Sequence, residues 1–227
     1  MSETSTLHCA VCGGPARAPF HAPRPPEIAP DLDMRPGEPV RSTLSDWLQA
    51  CGRCHAAGWD LSALPPAAKS VVESAAYRAL STEAAEDTLL FRRWAMICLA
   101  AGDKEEAAEA TLQAAWAADD GAGMVEAAKL RRDVAALWGD APDLDLATGL
   151  RLLDVLRRAG EFAAVEARGA QMAAGALDAF AAAAVAFQRA SAAERDVGSH
   201  LLTSAAPDHV LPDDLPKPKF WDRLFER

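Results

Sequence analysis

Two pairs of cysteines are the residues of this sequence whose types and spacing are best suited to chemistry. Cys9 and Cys12 form one Cys-x-x-Cys motif, and Cys51 and Cys54 form the other. Four thiolates from two such turns are the ligand set of a tetrahedral structural zinc site. The 38 residues between the motifs exceed the common spacing of about 15–20, which predicts a long loop. The sequence therefore predicts one structural Zn²⁺ held by these four residues.

Other uses of the same cysteines stay open. Uncoordinated thiols, a redox-active pair and iron in the same four-sulfur cage are all compatible with the spacing. The run from Cys51 to His55 also matches the pattern of haem attachment, but that use requires export and leaves Cys9 and Cys12 without a role. The fifth cysteine, Cys98, lies in an apolar helical pattern and is interpreted as a buried hydrophobic residue.

The loop between the two motifs is the second candidate site. It carries charges of both signs in a proline-rich stretch, at Asp31, Asp33, Arg35, Glu38 and Arg41. One interpretation is a recognition loop that contacts a partner or ligand; the other is internal ion pairing that ties the loop to the chain. Paired carboxylates can do acid–base chemistry, but no nucleophile accompanies them, and four cysteines leave no vacant metal position.

Aromatic residues supply two further candidates. Near the C-terminus, Trp221, Leu224 and Phe225 share one face of a helical turn that follows a proline-rich tether. Apolar residues there either dock on this chain or form a linear motif for another protein. Trp47 and Trp59 flank the second cysteine motif, where they either cover a small ribbon core or form a binding surface.

Three zones of the chain must position these residues. Residues 1–64 are rich in Pro and Gly, residues 65–206 are nearly free of Pro, and residues 207–227 are a Pro-rich tail with a short amphipathic end. Abundant Ala, the best helix former, favours helices in the middle zone. We predict a mainly α fold, in which a small N-terminal zinc ribbon of short β-hairpins precedes antiparallel α-helical hairpins that are tetratricopeptide-like.

Periodicity and turn residues locate the helices. One helix is predicted from after Pro66 to about Leu80, and the next from near Thr82. The apolar stripe of that second helix has the spacing of one α-helical face and consists of Leu90, Trp94, Ile97, Cys98 and Ala101.

Short turns between helices complete the pattern. The runs Ala101-Gly102-Asp103 and Ala159-Gly160-Glu161 each combine a C-terminal glycine with an acidic N-cap, and Asp143 or Asp145 is predicted to cap another helix. The two glycines are 58 residues apart, whereas a strict tetratricopeptide repeat has a period of about 34. The spacing therefore favours two hairpins separated by an additional helix.

In these residues the chain resembles a family of uncharacterised bacterial proteins that join a zinc ribbon to a tetratricopeptide-like helical region. The likeness rests on the run Cys9–Gly13, the stretch Pro30–Glu38, Arg41-Ser42-Thr43 and Trp47, and more loosely on Arg158–Phe162. The second motif departs from the usual Cys-Pro-x-Cys-Gly-Tyr of that family. The resemblance implies the architecture and the zinc site, and it implies no activity.

Charge and hydropathy argue against several classes of function. The 23 basic and 33 acidic residues give a net charge of −10, and no zone is basic, which disfavours nucleic acid as a partner. No apolar run reaches the roughly 18 residues of a membrane span. The run Met1–His8 lacks the basic and apolar regions of a signal peptide, so we expect the cytoplasm, where paired cysteines favour a metal over a disulfide.

Together these patterns predict a non-enzymatic, zinc-binding cytoplasmic adaptor that uses its helical-repeat surface for protein–protein interaction. One alternative is a small-ligand-binding or enzymatic role centred on residues 31–41. A further alternative is a thiol redox sensor that releases zinc on oxidation.

Overall fold

A computed structural model describes residues 7–121, 123–139, 144–206 and 217–225 of the chain. The predicted Pro-rich stretch at 207–216 and the alternative cap Asp143 lie outside these residues. Within them the chain is mainly helical with one small antiparallel sheet, so the predicted fold class is confirmed. The regular elements are β1 (Gln49–Ala50), β2 (Ala57–Gly58), α1 (Ala68–Val72), α2 (Ala75–Glu83), α3 (Glu86–Ala100), α4 (Lys104–Asp120), α5 (Met124–Gly139), α6 (Leu146–Arg158), α7 (Phe162–Ala173), α8 (Ala179–Ala193), α9 (Leu202–Ala205) and α10 (Lys219–Phe225).

The described residues form two compact units. The first unit takes the described residues within 7–22 and 43–127, and the second takes those within 23–42 and 128–225. Helix α3 packs on α1, α2, α4 and β2 in the first unit, and α8 packs on α6, α7 and α9 in the second. The zone boundaries predicted at residues 64 and 206 stay predictions.

The turn between α3 and α4 has the predicted chemistry. Gly102 has φ +83°, and the Asp103 amide donates to the Cys98 carbonyl at 3.0 Å while the Gly102 amide donates to Leu99 at 3.1 Å. These two bonds form a Schellman motif, which satisfies the last carbonyls of α3. The Asp103 carboxylate then accepts from the Glu106 amide at 3.0 Å and caps α4.

The second predicted turn repeats this backbone pattern with one difference. Gly160 has φ +81°, and the Glu161 amide donates to the Leu156 carbonyl at 2.9 Å. Glu161 makes no side-chain cap, however. Asp145 caps α6 by accepting from the Thr148 amide at 2.9 Å. Asp145, one of the two residues predicted as the cap of this helix, therefore does cap it.

Two predicted helices differ from the structure in detail. The helix expected up to Leu80 is divided into α1 and α2, because Ser74 leaves the helical conformation and its hydroxyl caps α2 at the Tyr77 amide. The following helix begins at Glu86 instead of near Thr82.

The buried face of α3 is also rotated relative to the predicted stripe. Phe91, Ala95 and Cys98 are buried, whereas Trp94 is half-buried. The Trp94 indole nitrogen donates to the Glu106 carboxylate at 2.9 Å, which keeps one edge of that ring at the surface.

Within the described ranges, no helix combines the length and the apolar character that crossing a membrane requires.

Candidate metal centre

Each Cys-x-x-Cys motif folds into a tight turn with the same backbone hydrogen bonds. In the first knuckle (Cys9–Cys12), the Cys9 amide donates to the Gly14 carbonyl at 2.7 Å and the Gly13 amide donates to the Cys9 carbonyl at 2.8 Å. In the second knuckle (Cys51–Cys54), the corresponding bonds are Cys51 to Ala56 at 2.8 Å and His55 to Cys51 at 2.9 Å. The two turns therefore present their cysteines in the same way.

Short antiparallel hairpins carry the two knuckles. An isolated bridge pairs His8 with Pro15 around the first knuckle. Around the second, β1 and β2 pair with Gln49 opposite Gly58 and Ala50 opposite Ala57. The Ala10 amide also donates to the Leu61 carbonyl at 2.8 Å, which ties the first knuckle to the chain that follows the second.

The four sulfur atoms meet in one cluster. All four Sγ atoms lie within 4.8 Å of one another, with Cys9 and Cys54 at 3.8 Å and Cys12 and Cys51 at 3.5 Å. Zn–S bonds of about 2.3 Å in a regular tetrahedron require S···S distances of about 3.8 Å. No disulfide joins these sulfurs. The donor set and its spacing therefore fit one tetrahedral metal ion.

Apolar side chains enclose one side of this cluster. Cys9 and Cys51 are buried, while Cys12 and Cys54 are half-buried. The surrounding cluster is drawn from the ribbon and from the helices that follow it, and its buried members include Ala56, Leu61, Leu64, Ala68, Val71, Val72, Tyr77 and Ile97. The metal centre thus lies in the core of the first unit, as structural sites do.

Tyr77 supports the second knuckle and was not singled out by the sequence. Its hydroxyl donates to the His55 carbonyl at 2.9 Å and accepts from the Ala57 amide at 3.1 Å. Burial raises the pKa of Tyr77 to about 12, against the opposing charge of Arg93, whose guanidinium lies 5.1 Å from the ring centroid. The one sequence feature that could have drawn attention to Tyr77 is that it is the single tyrosine of the chain.

The pKa values of Cys9, Cys51 and Cys54 are shifted in different directions. Burial raises the pKa of Cys9 and raises that of Cys54 to about 12. Burial also acts on Cys51, but the Cys54 and Arg53 amides and the neighbouring sulfurs outweigh it and lower its pKa to about 7. Because a metal takes up thiolates, its binding displaces protons, first of all from Cys9 and Cys54.

The charged loop between the knuckles belongs to the second unit, and its carboxylates lie inside that unit. Asp31 is 3% exposed, and its carboxylate contacts the Arg41 guanidinium at 2.6 Å. Asp33 is fully buried and contacts the guanidinium groups of Arg158 at 3.2 Å and Arg131 at 3.9 Å. Burial and the nearby Asp33 charge raise the pKa of Asp31.

The remaining candidates of the loop also make internal contacts. Arg35 is buried, and its amide donates to the Asp33 carboxylate at 3.2 Å. Glu38 accepts from the Ser42 hydroxyl at 2.8 Å, and the Arg41 Nε donates to the Pro36 carbonyl at 3.2 Å. The contacts of this loop are those of the ion-pairing interpretation.

The C-terminal candidates lie in α10. Trp221 and Leu224 are buried, and Phe225 is half-buried. The Trp221 indole nitrogen donates to the Met34 carbonyl at 3.2 Å, and its ring lies 5.8 Å from that of Phe225. The structure therefore places the aromatic end of the chain against the loop of the second unit.

The two flanking tryptophans differ in environment. Trp47 is 2% exposed; its indole nitrogen donates to the Thr43 hydroxyl at 2.9 Å, and its ring meets the edge of Trp116 at 6.4 Å. Trp59 is half-buried. His8 and His55 are exposed and are not members of the four-thiol cluster.

Comparisons with protein-family models, with curated proteins and with solved structures found no match for this chain. The resemblance to bacterial zinc-ribbon proteins accordingly stays a prediction.

Proposed function

We propose that this chain is a non-enzymatic, zinc-binding adaptor of the cytoplasm, in which the four-thiolate centre is structural and the helical surface binds a protein partner. The observation that carries the proposal is the closed donor set. All four ligand positions of a tetrahedral ion are supplied by protein sulfurs, so no position is left for water or substrate.

Zinc is the ion that the chemistry favours. Thiolates select soft or borderline ions over Mg²⁺ and Ca²⁺, and a four-sulfur tetrahedron suits zinc or iron. Zinc needs no redox partner, and it commonly holds small ribbons that lack a large core of their own. The helical hairpins support the adaptor role, because packed helices offer extended faces for a partner.

The ligand-binding alternative at residues 31–41 receives less support. Asp31 and Asp33 are buried and ion-paired with arginines of the same unit. These contacts tie the loop to its own unit, as the internal-pairing interpretation predicts.

Metal identity is tested by elemental analysis of the purified full-length chain. We expect one zinc per chain, retained in Cys98→Ala and lost in Cys12→Ser, because only the second substitution touches the cluster. Iron at one equivalent, or zinc retention in Cys12→Ser, would contradict the assignment.

The adaptor role is tested by affinity purification with in-situ cross-linking, run on the wild-type chain and on Cys12→Ser. We expect a protein partner that is recovered reproducibly with the zinc-loaded chain and lost with the variant. The absence of a reproducible partner, with zinc loading verified, contradicts the adaptor role and leaves the metal assignment intact.

A further inference from the structure

A cleft of about 310 Å³ opens on the first unit beside the metal centre. Its walls are the segment Arg17–His21, the segment Asp46–Gln49 and Trp59. The volume lies at the lower end of the range of about 300–1,000 Å³ that is typical of ligand sites. No part of the proposed metal centre uses these residues.

The Gln49 side chain hydrogen-bonds to two other parts of the cleft lining, Arg17 and Trp59. Its side-chain oxygen accepts from the Arg17 amide at 3.0 Å, and its side-chain nitrogen donates to the Arg17 and Trp59 carbonyls at 3.1 Å each. Gln49 is 5% exposed and is also paired with Gly58 in the β-ladder. A buried amide with both ends bonded gives the cleft a fixed frame.

Each knuckle contributes one wall of this frame. Arg17 follows Pro15, which pairs with His8 around the first knuckle. Trp59 follows Gly58, which belongs to the β-ladder around the second knuckle. A metal ion that joins the two knuckles therefore also sets the spacing of the walls.

The interior of the cleft presents aromatic rings. Phe20 and Trp59 are half-buried, and His21 packs edge-on against Trp59 with a centroid distance of 6.1 Å. Trp47 and Leu48, which also line the cleft, are buried. Partly exposed rings on a rigid frame are suited to a ring-bearing side chain, such as proline or an aromatic residue.

Two charges of opposite sign stand at the same cleft. Arg17 and Asp46 are exposed, and neither side chain forms an ion pair within the part of the chain that the structure describes. An occupant with an acidic and a basic group would complement both. The described residues of this unit carry 13 acidic and 7 basic side chains, a field that repels polyanions such as nucleic acids.

We propose that this cleft binds an extended peptide segment of a protein partner, in which a proline or aromatic ring stands between an acidic and a basic side chain. The ring packs between Phe20 and Trp59, the acidic group meets Arg17, and the basic group meets Asp46. This inference rests on the proposed adaptor function, and it adds to the helical surface a second contact site in the ribbon, with a stated partner chemistry.

The probes are blocked heptapeptides in which Pro-Tyr-Pro stands between one Asp and one Lys, in both orders of charge. They are titrated into the full-length, zinc-loaded chain while the Trp59 indole and Phe20 amide signals are followed by NMR, with affinities from calorimetry. We expect one order to bind with a Kd below about 100 μM, as weak peptide docking does, and to shift both signals.

Variants separate the cleft from general electrostatics. Because anchoring residues dominate such interfaces, Trp59→Ala and Arg17→Glu should each weaken binding at least about tenfold. Lys69→Glu makes the same charge change at an exposed site outside the cleft and should leave the affinity unchanged. Retention of one zinc per chain verifies that each variant is folded. Because Arg17 is exposed, Arg17→Glu tests the cleft without removing an aromatic ring, as Trp59→Ala does.

Three results overturn the proposal. In the first, the Trp59 and Phe20 signals do not move at millimolar concentrations of either peptide. In the second, Lys69→Glu and Arg17→Glu weaken peptide binding equally. In the third, AMP shifts the same two signals when it replaces the peptides. If a partner is recovered equally by the wild type and Trp59→Ala, the cleft assignment fails while the adaptor function stands.

Discussion

The two knuckles have one backbone geometry and two different means of support. In both, the residue after the second cysteine has a left-handed conformation, with φ +68° at Gly13 and φ +61° at His55. The first knuckle is flanked by a single bridge, and the Ala10 amide ties it to the Leu61 carbonyl. The second has a two-residue ladder and the buried hydroxyl of Tyr77, which contacts its carbonyl and amide groups.

The two Cys-x-x-Cys spacings therefore produce the same turn, and we expect the neighbouring elements to decide how stable each turn is without a metal ion. The second knuckle receives two hydrogen bonds from Tyr77 of α2, so we expect it to be supported without a metal ion. We expect the first knuckle, with one bridge and one tertiary backbone bond, to depend more strongly on a metal ion. The comparison can be tested at four levels of expected effect.

The largest effect is expected from removing one ligand in each knuckle. Cys9→Ser and Cys51→Ser should both lose the metal, whose binding contributes on the order of 10 kcal/mol in small zinc domains. In both variants, hydrogen exchange should be slower at the Ala57 amide, which donates to the buried Tyr77 hydroxyl, than at the Gly13 amide of the first knuckle. Equally fast exchange of these two amides would remove the asymmetry between the knuckles.

The next effect concerns the support of the second knuckle. Tyr77→Phe leaves the His55 carbonyl and the buried Ala57 amide without their partner and should lower the free energy of unfolding by about 1–3 kcal/mol. Urea unfolding of the zinc-loaded protein measures it. The control is Ser70→Ala, which removes an exposed hydroxyl that donates to the Ala67 carbonyl and should change stability by less than about 0.5 kcal/mol. If Tyr77→Phe lowers the free energy of unfolding by as little as Ser70→Ala does, the second knuckle does not depend on the Tyr77 hydroxyl.

A smaller effect is expected at the left-handed positions. Gly13→Ala meets no neighbouring atom within 4 Å, so its cost is conformational and should be about 1 kcal/mol. His55→Gly should raise the free energy of unfolding by up to about 1 kcal/mol, because relief of the left-handed conformation exceeds the added chain entropy. Thermal unfolding of the pair checks the opposite signs; a stabilised Gly13→Ala would show that the knuckles are not equivalent.

The smallest effect is expected at the residue after the first cysteine of each knuckle. The first knuckle has Ala10 there and the second has Gly52, whose φ is not in the left-handed region and whose added Cβ would meet no atom within 4 Å. Gly52→Ala should therefore stabilise the protein by about 0.4–1 kcal/mol through the unfolded state. A destabilisation in calorimetry would indicate that the second turn needs glycine for a reason that the backbone does not reveal.

The parts of the molecule that depend on local chemistry could be predicted from sequence. The short spacing within each pair of cysteines predicts that the four residues are candidate metal ligands. The turn at Gly102 and the caps at Asp103 and Asp145 follow from the residues next to them. Ser74 is a standard N-cap residue, so the division between α1 and α2 was open to prediction as well.

The parts that depend on distant partners could not be predicted. Tyr77 reaches a backbone 20 residues away, and nothing in its own neighbourhood indicates that contact. Asp33 is charged and lies in a Pro-rich loop, which is typical of a surface, yet it is buried because Arg158 supplies its counter-charge. His55 holds a conformation for which glycine is the usual residue, and the sequence indicates this position only through its equivalence to Gly13 of the first motif.

The segment between the knuckles has a consequence for synthesis on the ribosome. All four metal ligands have been made once Cys54 is added, so the ion can bind early in translation. The Asp33 carboxylate pairs with Arg158, 125 positions later, and must wait for most of the chain. During that interval residues 23–42 lack the partners that complete their unit, and among the last of these to be made is Trp221 of α10, whose indole nitrogen donates to the Met34 carbonyl.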